Sequence, residues 1–442
     1  MVDGIKYKNN KLAQPTVVGM VYVGILLVIF GGIVLHTPIT VFLESMFPSM
    51  GLLIKSWKET LMIIAGLVAI YLVVKNQRVV ILKHPIILTI GAYIVLHLVM
   101  TLLNLNNLIA VGAGLAIDLR YIIFFVLVFV AISLYPQYRK LFIKLGVIGA
   151  LLVLVFAILQ VFVLPYDILR FLGYGKQTIL PYLTVDQNYS FIRINSILRG
   201  PNVLGSYAVI VASLVAAFVI KNKINGKKYL SILIVILSVG TIVALWASYS
   251  RSALVAAILA VGTVLFVVFY KKISARTWVI AGSILLVTFG GFFAFRDTYF
   301  VSNVLLHENP GSDITTSSNE GHISSLQDGF SQLLKQPLGA GVGSTGSASL
   351  YGNKPEIIEN QYLFTAHEAG WIGLALFLSI FIFILVKLWH RRSDWLALGV
   401  FASGLGLALI GLLLPVWVDD TVSIIWWGMA AIALFMPIKD YN

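Results

Sequence analysis

Charged residues are scarce in this chain, and the few that could do chemistry fall into short, separated groups. Arg193 and Arg199 precede the Pro201–Asn202 pair. Arg251 sits inside Ser248–Tyr249–Ser250–Arg251–Ser252. Glu359 is followed at once by Asn360 and Gln361, and His367 and Glu368 come two helical turns later. A guanidinium presents a planar fork of donors that matches phosphate oxygens two at a time and keeps its charge at any working pH. A glutamate with its ordinary pKa near ~4.3 is ionised at neutral pH, so Glu359 is able to accept a proton.

Each group also has a plainer reading. Arg193 and Arg199 are read alternatively as solvated loop charges, and Arg251, at the lipid boundary, as a side chain that snorkels to water. Glu359 also suits the N-terminal dipole of a helix. Asp118 and Arg120 are expected at the start of a span, paired with each other or with Arg120 turned to substrate. His367 and Glu368 are expected to satisfy one another or to face a cavity. Asp419–Asp420 reads as a solvated turn, with an ion site as its alternative. Trp246, Trp371, Trp417, Trp426 and Trp427 lie near span ends and read as an interfacial belt.

The elements that must position these residues follow from composition. The 442 residues are 59% apolar and only 11% charged, against about a quarter charged in soluble domains. Apolar runs near the ~20 residues that cross hydrocarbon recur along the chain, and in lipid such runs must be helical. The reading is an all-α integral membrane protein of about twelve transmembrane helices. These cover 15–36, 59–75, 85–103, 117–135, 141–164, 203–221, 229–248, 252–270, 277–295, 362–387, 395–415 and 422–438.

Lys and Arg are retained on the cytoplasmic side of a membrane. Groups such as Lys75, Arg78 and Lys83, or Lys221, Lys223, Lys227 and Lys228, fall in alternate connections. Both termini are therefore expected in the cytoplasm. The organisation is a cytoplasmic segment 1–14, helices one to five in 15–164, an outer loop 165–202, helices six to nine in 203–296, a large outer loop 297–361, and helices ten to twelve with the C-terminal tail in 362–442. In the larger loop, Ile323, Leu326, Phe330, Leu333 and Leu334 recur at helical intervals before Pro337–Leu338–Gly339, which predicts a surface helix over 320–336 with His322 in its first turn.

The net charge of +13 then reports topology and anionic lipid, and nucleic acid is not an expected partner. The absence of cysteine excludes disulfides and thiolate metal sites, and the histidines show no metal-ligand spacing. No phosphate-cradling Gly-rich motif for ATP is present. Neither metal nor ATP is expected as a cofactor.

Three motifs carry a resemblance. Arg193–Ile194–Asn195–Ser196–Ile197–Leu198–Arg199–Gly200–Pro201–Asn202–Val203–Leu204–Gly205 is an Arg-containing stretch ending in Pro-Asn and a Gly before a span. Ser250–Arg251–Ser252 is a Ser-Arg-Ser turn. Gln336–Pro337–Leu338–Gly339–Ala340–Gly341–Val342–Gly343 is followed by Glu359–Asn360, nine residues, and Gly370-x-x-Gly373. In order and spacing the chain resembles the O-antigen ligase and O-antigen polymerase family of integral membrane glycosyltransferases. Glu359 stands where the ligases carry a histidine, which favours the polymerase branch.

The resemblance implies the following. The donor is an undecaprenyl-diphosphate-linked oligosaccharide at the outer face of the bacterial cytoplasmic membrane, joined with inversion to a second lipid-linked repeat. The ligase alternative passes the glycan to another acceptor. Glu359 acts as base, with His322 as the alternative base or a diphosphate ligand, and Arg193 and Arg251 stabilise the leaving diphosphate. Arg199, Asn202, Arg120, Asn360, Gln361 and His367 line the substrate site. A flippase and a chain-length regulator are the implied protein partners. From another class, a lipid-linked glycan transporter is the competing reading.

Overall fold

The computed structural model describes residues 15–434 except 104–106, 186–187, 223–227, 328, 332, 353–354 and most of 271–325, where only Ser274, Arg276, Ser283, Ala294 and Thr298 are described. The helices are α1 (Val17–Gly32), α2 (His36–Met46), α3 (Gly51–Lys55), α4 (Trp57–Lys75), α5 (Pro85–Leu103), α6 (Leu108–Leu134), α7 (Arg139–Phe162), α8 (Pro201–Lys221), α9 (Lys228–Ala247), α10 (Arg251–Phe269), α11 (Gly346–Ser349), α12 (Gln361–His390), α13 (Trp395–Ile410) and α14 (Asp420–Leu434). Among the described residues nine helical segments are long and apolar enough to cross a membrane, and α13 and α14 are shorter apolar helices. The expected span over 277–295 lies outside the described residues except for Ser283 and Ala294. Large apolar side chains such as Ile63, Leu67 and Ile258 are exposed on the helix faces, as a hydrocarbon solvent allows.

Several local features depart from the sequence reading. α6 starts at Leu108 rather than near 117, because Asn107 caps it by accepting from the Ile109 N–H. Asp118 and Arg120 are therefore about three turns inside a span and buried. The segment 165–202, read as loop, contains an antiparallel hairpin, β1 (Tyr182–Val185) with β2 (Asn188–Ile194). Gln160 on α7 ties down its exit by accepting from the Ser196 N–H at 2.9 Å. The described residues between 326 and 335 are helical, while His322 lies outside the described residues.

The core also differs. Trp246 and Trp371 are exposed, but Trp417, Trp426 and Trp427 are buried and pack on one another and on Phe381 at centroid distances of 5.1 to 6.4 Å. They form an aromatic centre rather than a belt. Around it α14 packs against α6, α13 against α8 and α10, and α12 against α5. This fixes the ends of α6, α8, α12 and α14, where the candidate residues lie.

Candidate functional site

The first element of the site is an arginine corner. Arg193, near the end of β2, donates from Nε to the Ser248 carbonyl at 2.9 Å and from Nη2 to Asn202 Oδ1 at 2.7 Å. One guanidinium thus joins the hairpin, the first turn of α8 and the turn between α9 and α10. That turn is tight: Tyr249 adopts φ 47°, a left-handed backbone that costs a non-glycine residue about 1 kcal/mol or more. Ser248 Oγ accepts from the Ser250 N–H at 3.3 Å, and Arg251 follows as the first residue of α10. The sequence groups Arg193, Asn202 and Ser248–Arg251 are brought to one place. Arg199, on the same β2–α8 connection, is exposed.

The second element lies where α2, α4, α6 and α14 meet. Arg120 is paired with Asp420 and donates to the Val418 carbonyl. Asp420 also receives Lys58 Nζ at 2.8 Å and His36 Nε2 at 3.0 Å, and Lys58 reaches Glu59 at 3.3 Å. Trp57 Nε1 donates to His36 Nδ1 at 2.9 Å. This corrects two expectations. Arg120 does not pair with Asp118, since residues two apart on a helix do not face one another. Asp420 is not part of a solvated turn. The neighbouring Asp419 carboxyl is pushed up by burial and then by Asp420, while the Val422 N–H, Arg199 and Arg120 pull it back. Arg199 is in this way tied electrostatically to the 411–419 segment.

The third element is the return into α12. Asn360 caps the helix: its Oδ1 accepts from the Tyr362 and Leu363 N–H groups, and its Nδ2 donates to the Leu412 carbonyl at 2.7 Å. The Gln361 N–H donates to the Gly411 carbonyl, and its Oε1 accepts from the Trp417 N–H. Both side chains were expected to meet substrate. Their polar groups instead clamp the 411–417 segment to the head of α12, next to the half-buried Glu359. That segment leads on to Asp419 and Asp420, so it connects the head of α12 with the ion-pair cluster.

α12 is broken at Gly370, whose φ of 69° and ψ of −172° are not helical. The Gly-rich turn fills the break: Ala340 N–H donates to the His367 carbonyl at 2.6 Å and Trp371 N–H to the Pro337 carbonyl at 3.0 Å. A broken helix in a membrane needs such replacement partners for its backbone. The nearest neighbours of Gly370 are the backbone atoms of Pro337 and Leu338. His367 and Glu368 do not satisfy each other. His367 Nε2 lies 3.8 Å from Glu356 Oε2, whereas Glu368 Oε1 accepts from the Thr345 N–H at 3.2 Å.

The residues that sequence reasoning missed are His36, Trp57, Lys58 and Glu59. The signal was Lys58 and Glu59 directly before an apolar run, where two charges need partners. Among the described residues no group of three His, Asp or Glu is placed to hold a metal ion.

Residues 235–378 match the family model described as O-antigen ligase. Over that stretch the chain is similar to the O-antigen ligase family. The matched span includes the Ser248–Arg251 turn, Glu359, Asn360 and the Gly370 break, and it leaves out Arg193, Arg199 and the hairpin. No curated protein matches the chain. The apolar helices together with this match indicate a multi-pass membrane protein.

Proposed function

We propose that the protein is a polymerase of lipid-diphosphate-linked glycans, working without metal or ATP at the outer face of the bacterial cytoplasmic membrane. A hydroxyl of one lipid-linked repeat attacks the anomeric carbon of a second chain with inversion. The bond from that carbon to the diphosphate oxygen breaks as the new glycosidic bond forms. The hydroxyl proton passes to the Glu359 carboxylate, and undecaprenyl diphosphate departs. Charge grows on the diphosphate in the transition state, and fixed cations in a low-dielectric site stabilise it without reorganising. The hydroxyl attacks from the face opposite the leaving group, and the base that takes its proton lies on that face, as inversion requires.

The observation that carries this reading is the arginine corner. Arg193 is held by two bonds beside the turn that presents Arg251, so two guanidinium-bearing motifs far apart in sequence share one end of α8, α9 and α10. Glu359 supports the polymerase branch because it replaces a histidine of the ligase pattern and precedes a helix whose cap is already supplied by Asn360. The ligase reading stays as the second, favoured by the description of the matched family.

Purified protein supplied only with lipid-linked repeats tests the two. A polymerase makes a ladder of products from the donor alone, and a ligase makes none until a different acceptor is added. Glu359→Gln is expected to lower turnover by about 10²-fold or more, the scale of a general base. A full ladder from that variant removes Glu359 from the role. Transport of the glycan-lipid into sealed vesicles with no new glycosidic bond would overturn both readings.

A further inference from the structure

Toward the end of α8 that lies away from the arginine corner there is an apolar cavity of about 220 Å³, lined by residues of α7, α8, α9, α13 and α14. It is graded along its length. At one end Tyr207, Ile210 and Leu237 are buried, whereas at the other Ile143, Phe218 and Leu230 are half-buried. The cavity is therefore closed deep in the bundle and open beside the last turn of α8. An apolar cavity stays dry and takes up apolar matter; one of ~150 Å³ holds benzene.

Depth decides what fits. Tyr207 and Phe218 are eleven residues apart on α8, about 16 Å of helix. That is the thickness of one leaflet in a hydrocarbon core ~30 Å deep. At the open end Phe218 meets Trp395 edge to face at 4.9 Å, and a tryptophan in the first turn of α13 marks the level of the headgroups. A lipid tail that enters there ends near the midplane, where the cavity closes. A carrier lipid held by its diphosphate at the arginine corner would have to enter through the closed end.

The open end is also positively charged. Lys140 and Lys144 lie three and four residues from the lining Ile143 and Val147 on α7, and Lys221 continues the Leu214–Phe218 stripe of α8. At that spacing side chains share a helix face, so the lysines stand over the cavity mouth. All three are exposed. Among the described residues the acid at this end of the bundle is Asp394, and Arg139 takes it at 2.6 Å. A cationic rim above an apolar slot matches a lipid that joins an anionic headgroup to acyl chains. Basic pockets between membrane helices on the cytoplasmic side hold such headgroups, and the lysine-rich end is the one expected in the cytoplasm.

We infer that the cavity is a binding site for an anionic diacyl phospholipid of the cytoplasmic leaflet. Lys140, Lys144 and Lys221 hold its phosphate, and one acyl chain lies between α7, α8 and α9 down to Tyr207. The inference uses the orientation expected from the basic residues and does not rest on the polymerase reading.

Lipid binding to the purified protein in nonionic detergent tests the site. The probes are phosphatidylglycerol and phosphatidylcholine with the same palmitoyl and oleoyl chains, read by native mass spectrometry and by the midpoint of thermal unfolding. Phosphatidylglycerol is expected to bind at least about tenfold more tightly and to raise the midpoint, with a preference that shrinks as salt rises. The Lys140→Gln, Lys144→Gln, Lys221→Gln triple variant removes only exposed charges, so it should melt like the wild type in detergent and lose the preference. Val215→Trp, at a half-buried lining position, should weaken both lipids by filling the cavity. Equal binding of the two lipids to the wild-type protein overturns the inference, as does a preference kept by the triple variant. Unchanged phosphatidylglycerol binding in a folded Val215→Trp protein places the lipid elsewhere and also overturns it. Displacement of phosphatidylglycerol by an equimolar polyprenyl diphosphate would assign the cavity to the carrier lipid instead. Polymer synthesis enters none of these readouts, so a protein that makes no polymer but selects phosphatidylglycerol refutes the polymerase reading alone.

Discussion

Arg193 donates to Asn202 across 2.7 Å, joining the end of the β-hairpin to the first turn of α8. The same guanidinium holds the Ser248 carbonyl, so two neutral acceptors on different segments orient its fork.

Asn202→Ala should therefore weaken turnover without unfolding the protein. A hydrogen bond to a charged group is worth about 1.5–3 kcal/mol, or about 10- to 100-fold in rate. Arg193→Lys should do as badly, because an ammonium lacks the planar fork that spans both acceptors. Initial rates of ladder formation check both variants. Wild-type rates in Arg193→Lys would refute the need for a bridging fork.

The Arg120–Asp420 pair predicts a stability asymmetry. Removing one partner of a buried ion pair leaves a buried charge and costs about 3–5 kcal/mol. Asp420→Ala should lower the midpoint of thermal unfolding in detergent, and Arg120→Met combined with Asp420→Leu should recover part of the loss. Lys58 and Glu59, also in the cluster, set how much is recovered. Equal loss in the single and double variants would show that the pair is not coupled.

How far this site was legible follows from the same residues. Arg193, Asn202 and Arg251 were found because arginine beside lipid is costly and the motif order is distinctive. Their meeting through the Ser248 carbonyl was not visible, since a backbone acceptor has no signature in sequence. The helical, membrane-spanning character was readable from apolar runs alone, and nine segments of that kind are present among the described residues. The start of α6 was misplaced because Asn107, which apolar-run reading leaves in a connection, is a cap that lets the helix begin nine residues early. Asp419 and Asp420 looked solvated because adjacent acids in a short connection usually are. Only tertiary structure brings Arg120, Lys58 and His36, from three distant segments, onto Asp420.

The break in α12 supplies a backbone prediction. Gly370→Ala puts a side chain at φ 69° and presses a Cβ against the Pro337 carbonyl. The left-handed conformation alone costs about 1 kcal/mol, and the overlap adds to it. Thermal unfolding should fall, and proteolysis in the 336–345 turn should rise as the turn leaves the break. An alanine variant as stable as the parent would mean that α12 can run through as a continuous helix.

Asn360 separates a structural from a substrate-binding role. Its Oδ1 caps α12 and its Nδ2 holds the Leu412 carbonyl. Asn360→Asp keeps the cap and loses the second bond, whereas Asn360→Ala loses both, and loss of a cap costs about 0.5–2 kcal/mol. The expected order of stability is wild type, then Asp, then Ala, with KM for the lipid-linked donor unchanged in all three. If Asn360→Asp matched the parent in stability but raised KM severalfold, the carboxamide would be contacting substrate, and the clamp on the 411–417 segment would have to be held by Gln361 alone.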